Sequence, residues 1–233
     1  MIIRCADNHA SGAVCQIWLH LNKDEKCMTI DFPGCPRYPR LIILSGPSGV
    51  GKDTIAQMIL ARRPNDFQFV ITATNRAPRQ GELHGRDYFF VSSDEFARMI
   101  NESELLEYAI VYNDFKGIPK QQIREALASG KNVLMRVDVQ GAATVKKLVP
   151  AAISIFLTTH SREELARRLR RRRSDSGEGL SLRIATAVQE MRRIKEFDYC
   201  VMNDENQQER AVEQILSIVD AERCRVNQEP VVL

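Results

Sequence analysis

The chain has 233 residues, 44% of them hydrophobic, and a formal net charge of +3. This length and composition predict one soluble globular domain of about 200 residues, without the roughly 18-residue apolar run that a membrane span requires. The small net charge does not by itself indicate a nucleic-acid partner. The six cysteines include no CxxC pair and follow no secretory signal, which predicts free thiols in a reducing compartment and no zinc knuckle.

Residues 1–38 differ in composition from the rest and are predicted to be a leader or linker. Disorder, an added strand and a targeting peptide stay open as interpretations. Three prolines and a glycine fall between positions 31 and 40, as in a linker. The acidic residues Asp7, Asp24, Glu25 and Asp31 argue against an acid-poor transit peptide. We therefore expect a cytoplasmic protein, with a plastid or mitochondrion as the alternative.

Strands and helices alternate from Leu41 onward, which predicts a three-layer α/β fold with a mostly parallel sheet over residues 39–225 and a tail at 226–233. The predicted strands are 41–44, 67–72, 105–111, 132–138, 152–157 and 199–203. The predicted helices are 54–63, 93–101, 120–129, 142–148, 161–173, 180–195 and 209–222. Ser93 and Ser161 are the expected N-caps of two of these helices.

A glycine-rich loop lies between the first predicted strand and the first predicted helix. The run Gly46-Pro47-Ser48-Gly49-Val50-Gly51-Lys52 fits the pattern G-x-x-x-x-G-K, and its flanking elements are those of a P-loop. The glycines allow the backbone to wrap closely, so that N–H groups face phosphate oxygens beside the positive end of the helix dipole. Lys52 is expected to neutralise the β- and γ-phosphates of ATP. A simple turn is the alternative, and the spacing, the lysine and the flanking elements together argue against it.

The residue after Lys52 departs from the pattern, because Asp53 stands where a P-loop usually carries Ser or Thr for Mg²⁺. A carboxylate beside a triphosphate is repelled unless Mg²⁺ or a basic group lies between them. Two interpretations stay open. Asp53 reaches the metal through water while Thr54 supplies a hydroxyl, or Asp53 points away as a first-turn acid.

Three further segments, 72–88, 106–108 and 137–141, read TATNRAPRQGELHGRDY, LEY and VDVQG. In order and spacing they resemble guanylate kinases, and the resemblance covers about 41–222. It is closer to the plant-organelle and bacterial branch, as indicated by Gly51-Lys52-Asp53, 112–119 and 134–138. It implies phosphoryl transfer from ATP to GMP, and to dGMP, with Mg²⁺. It also implies a core, a GMP-binding module at about 72–118 and a helical lid at about 166–182.

The resemblance assigns a phosphate subsite within the GMP-binding module. Arg76 and Arg79 lie three residues apart and can both hydrogen-bond to a monophosphate. Tyr88 matches a tyrosine that donates its hydroxyl to the same phosphate, and Glu82 matches an acid that fixes the loop. Lys116 stands where the family often has Tyr, and it is expected to replace that tyrosine as a phosphate contact.

The resemblance also implies which residues hold the base, the metal and ATP. Glu107 matches the carboxylate that accepts hydrogen bonds from guanine, and Thr72 stands at a hydroxyl near the base. Asp138 matches an acid near the Mg²⁺ site, so the predicted metal residues are Asp53, Thr54 and Asp138. The predicted ATP-binding residues are Gly46, Pro47, Ser48, Gly49, Val50, Gly51, Lys52, Asp53, Thr54 and Asn203.

Two departures from the family concern the guanine pocket. Ile118 stands where the family often has Ser, and its side chain cannot form a hydrogen bond. Arg136 stands where the family often has Asp, which reverses a charge near the base. These departures leave guanine selectivity open.

An arginine run at 167–173 falls in the predicted lid. Arg168 and Arg172 match lid arginines of the family, Arg183 matches one on the next helix, and all three are expected to act in catalysis with Lys52. The remaining arginines of the run are interpreted as a solvated face. No aromatic residues interleave with them, which argues against a single-strand nucleic-acid groove.

We expect ATP and GMP as partners, no nucleic-acid or membrane partner, and a monomer or homodimer. Three alternatives differ in class. A kinase for another nucleoside monophosphate is kept open by Ile118 and Arg136. A non-catalytic guanylate kinase-like binding module is disfavoured because Lys52, Arg168 and Arg172 are present. A nucleic-acid protein rests only on the arginine run.

Overall fold

The structure is a computed structural model that describes residues 38–79, 81–111, 114–171 and 177–233. At its centre lies β1 (Leu41–Ser45), which is buried along its whole length. Successive side chains of a strand point to opposite faces of the sheet. Leu41 and Ile43 accordingly join one hydrophobic core, and Ile42 and Leu44 join another. This explains why the run is apolar without alternation, as expected for a strand that is covered on both faces.

The central sheet has five parallel strands in the order β2-β7-β1-β8-β9. Its other strands are β2 (Phe67–Phe69), β7 (Asn132–Arg136), β8 (Ile153–Thr158) and β9 (Tyr199–Met202).

Helices cover both faces of this sheet, as a three-layer fold requires. One face packs against α1 (Lys52–Arg62), α5 (Arg162–Arg171), α6 (Gly177–Arg192) and α7 (Gln208–Glu222). The other packs against α3 (Lys120–Ala128) and α4 (Val139–Leu148). The predicted fold class is therefore confirmed.

A second, mixed sheet of four strands, in the order β4-β3-β6-β5, falls within the segment predicted to be a separate module. It comprises β3 (Ala73–Thr74), β4 (Phe89–Phe90), β5 (Leu105–Val111) and β6 (Asp114–Pro119). Against it packs α2 (Ser93–Asn101), which contributes Phe96 and Met99 to a small core with Ala73 and Leu105.

Several element boundaries differ from the sequence-based prediction. The predicted strand 67–72 ends at Phe69, and β3, β4 and β6 were not predicted. Ser92, not Ser93, caps α2, because the Ser92 side chain accepts the Glu95 N–H at 3.1 Å. The Ser161 cap is confirmed, since its hydroxyl accepts the Glu164 N–H at 3.1 Å. Within the described residues, no helix is long and apolar enough to cross a membrane.

The segment after α7 returns to the body of the protein. Val231 and Leu233 pack, partly buried, against the core beneath α3 and α4. The Arg40 side chain donates to the Glu229 carbonyl at 3.2 Å and to the Ala151 carbonyl at 3.3 Å. The predicted tail is thus tied to the beginning of the central strand.

Candidate active site

A cleft of about 580 Å³ opens between the carboxyl ends of the central strands and one face of the second sheet. In an open parallel sheet, ligands bind beyond these strand ends. Half of the cleft's lining consists of residues that the sequence predicted for the site. They are Ser48, Lys52, Asp53, Thr72, Tyr88, Glu107, Lys116, Asp138 and Arg183.

The glycine loop reaches this cleft through backbone conformations that only glycine adopts without strain. Gly46, Gly49 and Gly51 have φ angles of 135°, 82° and 96°. A Cβ at Gly46 would lie 2.2 Å from the Leu157 carbonyl oxygen. Lys52 begins α1, and its Nζ donates to the carbonyl of Gly46 at 2.5 Å and of Pro47 at 3.1 Å. The lysine therefore arches back over the loop, where a phosphate would be surrounded by donors.

Two other predicted residues hold the loop from outside the cleft. The Val50 carbonyl accepts from Asn203 Nδ2 at 2.8 Å and from Arg168 Nη1 at 3.2 Å. Arg168 also donates to the Asn203 carbonyl at 2.7 Å and pairs with Glu164. Neither Asn203 nor Arg168 lines this cleft, and both contact the backbone of the loop. Arg172 lies outside the described residues.

Arg76 and Glu82 form a bidentate ion pair at the predicted phosphate subsite. Both guanidinium Nη atoms lie 2.7 Å from the carboxylate oxygens, and Glu82 also accepts the Arg79 N–H at 2.8 Å. The Arg76 side chain, followed by the backbone N–H of Arg79, lowers the pKa of Glu82 to about 2. Arg76 lies over the Tyr88 ring, 4.8 Å from its centroid. Glu82 therefore holds the Arg76 side chain in place. Arg76 in turn lies over the ring of Tyr88, which lines the cleft.

Lys116 faces the same subsite from β6. Burial, and then the nearby charges of Arg76 and Arg79, lower the pKa of its ammonium group. Its Nζ lies 6.0 Å from the Tyr88 ring centroid. Lys116 and Arg76 thus lie near one tyrosine ring, with Arg79 close enough to act on the charge of Lys116, and this cationic subsite is suited to an anion.

Glu107 lies deeper, on the β5 face that floors the cleft. The pairing of β5 with β6 is irregular after Leu105 and sets Glu107 opposite Ile118, which is buried. Burial, and then the charge of Asp138, raise the pKa of Glu107 to about 7. Glu107 is therefore a partly buried carboxyl group beside an apolar side chain in the cleft.

Asp138 lies two residues after β7 and caps α4, and its Oδ1 accepts the Gly141 N–H at 2.7 Å. It faces the cleft together with Asp53, Glu107 and Glu190. Among the described residues, no three His, Cys, Asp or Glu side chains converge as a complete metal cage. One or two carboxylates beside a phosphate site fit Mg²⁺, which keeps waters and binds largely through substrate phosphates. Thr54, the third predicted metal residue, is exposed and does not line the cleft.

The Asp53 carboxylate forms an ion pair with Arg136, a contact that the sequence did not indicate. Both residues line the cleft, and the Arg136 guanidinium also lies 6.0 Å from the centroid of the Phe69 ring. Two of the positions at which this chain departs from the common pattern are therefore in contact.

Glu190 and Thr186 on α6 also line the cleft, and neither was predicted for the site. They lie on one face of the helix with the predicted Arg183, at spacings of three and four residues. That spacing was the available signal in the sequence. Burial raises the pKa of Glu190, although Lys52 and the hydrogen bond from the Ser48 N–H act in the opposite direction.

A strand, glycine loop and helix that present a lysine, beside a second cationic subsite in one cleft, define a P-loop phosphotransferase. A family model described as guanylate kinase matches residues 38–222. The chain therefore belongs to the guanylate kinase family.

Curated relatives and a solved structure agree with this assignment. The chain is 48% identical over 197 residues to "Guanylate kinase 2, chloroplastic/mitochondrial" of Oryza sativa subsp. japonica, covering 84% of this chain and 69% of the relative. It is 42% identical over 187 residues to the guanylate kinase of Clostridium tetani, covering 80% and 88%. The crystal structure of guanylate kinase from Anaplasma phagocytophilum matches with a TM-score of 0.66 and 29% identity, covering 81% of this chain and 88% of that one.

Proposed function

We propose that this protein transfers the terminal phosphoryl group of ATP to GMP, and to dGMP, producing ADP and GDP or dGDP. The observation that carries the proposal is that one cleft is lined by a lysine of the glycine loop, by a lysine and a tyrosine of the second sheet, and by a partly buried carboxylate. Lys52 marks the ATP subsite, Lys116 and Tyr88 the acceptor subsite, and Glu107 the base pocket.

In the proposed reaction, a phosphate oxygen of GMP attacks the γ-phosphorus of ATP. The bond from that phosphorus to the β–γ bridging oxygen breaks, and ADP leaves with the electron pair. This reaction requires no protein nucleophile, because positioning and positive charge account for most catalysis in phosphoryl transfer. Lys52 and Arg183 are the described cations of the cleft proposed to face the transferring group.

Kinases of this kind generally use a divalent metal, and we propose Mg²⁺. When bound, it would neutralise charge on the β- and γ-phosphates. Asp138 is the carboxylate best placed to hold it, directly or through water, because Asp138 lines the cleft and is fixed by its capping bond. Within this cleft Tyr88 and Lys116 orient the acceptor phosphate, and Glu107 accepts from the guanine edge.

The test is a coupled assay of ADP production with GMP, dGMP, AMP, CMP and UMP as acceptors. We expect turnover with GMP and dGMP only, and Lys52→Ala should abolish it while the variant stays folded by circular dichroism. Turnover with a different monophosphate alone would support the second candidate, a kinase for another base. Two residues favour that candidate. The Ile118 side chain cannot form a hydrogen bond to a base, and Arg136, which stands where the family often has Asp, forms an ion pair with Asp53.

The compartment is proposed from the relatives alone. The name of the rice relative places that protein in chloroplasts and mitochondria, which favours the organellar alternative over the cytoplasm for this chain. Microscopy of a full-length C-terminal fluorescent fusion would distinguish the two.

A further inference from the structure

The Asp53–Arg136 ion pair joins the start of α1 to the end of β7 at the wall of the cleft. Asp53 lies in the first turn of α1, directly after Lys52, and Arg136 is the last residue of β7. In the parallel pairing of β1 with β7, Arg136 lies opposite Leu44, two residues before the glycine loop begins. The sheet register therefore places both side chains at the same carboxyl edge, and they meet across it.

The pair resolves an electrostatic conflict within the loop. Like charges repel each other where solvent screening is incomplete. An unpaired carboxylate at position 53 would therefore weaken the binding of a triphosphate. The Arg136 guanidinium lies on that carboxylate and supplies the compensating charge.

The Arg136 side chain has neighbours on two sides, the Asp53 carboxylate and the Phe69 ring. Its position is therefore fixed by more than the charge of Asp53. Its side chain is 24% exposed, against 47% for Asp53, and it lies near the Phe69 ring as well as on the carboxylate. A guanidinium has five N–H donors in a rigid fork and can serve two acceptors at once. Arg136 also lines the cleft that contains Lys52.

We propose that Arg136 is a further phosphate-binding residue of this site and that Asp53 is its positioning residue, so that the two act on the ATP phosphates as one unit. Asp53 then serves Arg136 and not the metal. This inference rests on the proposed function for its catalytic meaning, but it concerns the binding of ATP or ADP and does not require that GMP be the acceptor.

The test is a double-mutant cycle on nucleotide affinity, measured by calorimetry with ADP in EDTA so that no metal contributes. Arg136→Gln should weaken ADP binding about tenfold, because it removes a phosphate contact and leaves Asp53 uncompensated. Asp53→Asn alone should change affinity less than threefold. Asp53→Asn combined with Arg136→Gln should recover at least threefold of the affinity that Arg136→Gln loses.

The decisive comparison is between the double variant and Asp53→Asn, because neither has an uncompensated carboxylate at position 53. The double variant should bind ADP about threefold more weakly than Asp53→Asn, and this difference measures the phosphate contact of Arg136. Equal affinity of these two variants would mean that Arg136 is only a counter-ion, and a double variant as weak as Arg136→Gln would mean that Asp53 imposes no charge penalty; either result would overturn the proposal. In steady-state turnover, Asp53→Asn should lower kcat more than it raises KM for ATP. The substitution leaves the Arg136 cation in place but no longer orients it.

Arg124→Gln on the exposed side of α3 is the matched control, because it removes the same charge outside the cleft and should leave ADP affinity unchanged. If Arg136→Gln does not fold, Arg136→Lys takes its place in the same cycle, since it keeps a cation and removes the fork. The proposed function is judged separately: absence of GMP turnover in the wild-type protein, with the ADP cycle as expected, would overturn that function and leave the pair standing.

Discussion

The carboxylate of Glu190 accepts the backbone N–H of Ser48 in the glycine loop, with 3.3 Å between Oε2 and the nitrogen. An N–H of this loop is a donor that a nucleotide phosphate is expected to use. In this structure a side chain of α6, the helix that begins within the predicted lid, accepts from that donor. Binding of an ATP phosphate to this N–H would therefore displace the Glu190 carboxylate, and α6 would lose this contact with the loop.

Glu190→Gln should strengthen ATP binding about three- to tenfold, because it removes a negative charge that competes for the loop donor beside the triphosphate. Calorimetric titration with a non-hydrolysable ATP analogue measures the change. Glu125→Gln, on the exposed face of α3, removes an equal charge far from the loop and should have no effect. Weaker binding by Glu190→Gln would mean that the carboxylate supports the loop and does not compete for it.

Glu107 should make GMP binding depend on pH near neutrality. Its pKa is raised to about 7, so the carboxyl is largely protonated at pH 6 and ionised at pH 8. Only the ionised form accepts hydrogen bonds from both the ring N–H and the amino group of guanine, so GMP affinity should rise as pH rises through about 7. Titration of GMP from pH 6 to 8.5 measures this.

The GMP phosphate itself titrates near pH 6, and Glu107→Gln separates the two effects. The variant should bind GMP about 100-fold more weakly and keep only the pH dependence of the phosphate. An unchanged profile in Glu107→Gln would show that Glu107 does not carry the dependence near pH 7.

Glu82 is expected to act on GMP through Arg76. Glu82→Gln leaves the side-chain shape but removes the charge that holds the guanidinium in a bidentate pair. KM for GMP should rise about tenfold while KM for ATP changes less than twofold. Steady-state kinetics with each substrate varied in turn measures the split, and an equal rise in both constants would indicate a general loss of structure.

The steric requirement for glycine at position 46 can be tested by comparison with Gly130, which lies outside the glycine loop. Gly46→Ala and Gly130→Ala both place a side chain at positive φ, but a Cβ at Gly130 meets nothing within 4 Å, whereas one at Gly46 meets the Leu157 carbonyl. Gly46→Ala should therefore cost about 1–3 kcal/mol more in free energy of unfolding than Gly130→Ala. Urea denaturation of both variants measures this difference, and equal costs would mean that the loop yields without strain.

The parts of the molecule that were predictable from the sequence depend on local spacing. The loop at 46–52 and the buried run of β1 carry their own signals, since glycine positions and an unbroken apolar run need no distant partner to be interpreted. β6 was missed because a glycine and a proline interrupt its apolar pattern. The end of the strand at Phe69 is likewise set by pairing with β7 and not by its own residues.

Contacts between distant positions could not be predicted in this way. Asp53 and Arg136 were each recognised as departures, but nothing in either neighbourhood shows that the two meet. The same holds for Asn203, which was predicted to bind ATP and whose contact with the Val50 carbonyl was not predictable. Such relationships arise from the register of β1, β7 and β8, which a single sequence does not specify.

The segment that ends in Val231 and Leu233 has a practical consequence for handling this protein. The family match stops at residue 222, and trimming the chain there to obtain a minimal enzyme would look harmless. Such a truncation would expose apolar surface beneath α3 and α4 to water and would remove the carbonyl that Arg40 binds. We expect a shortened protein to aggregate during purification, and a fusion partner at this end to need a spacer.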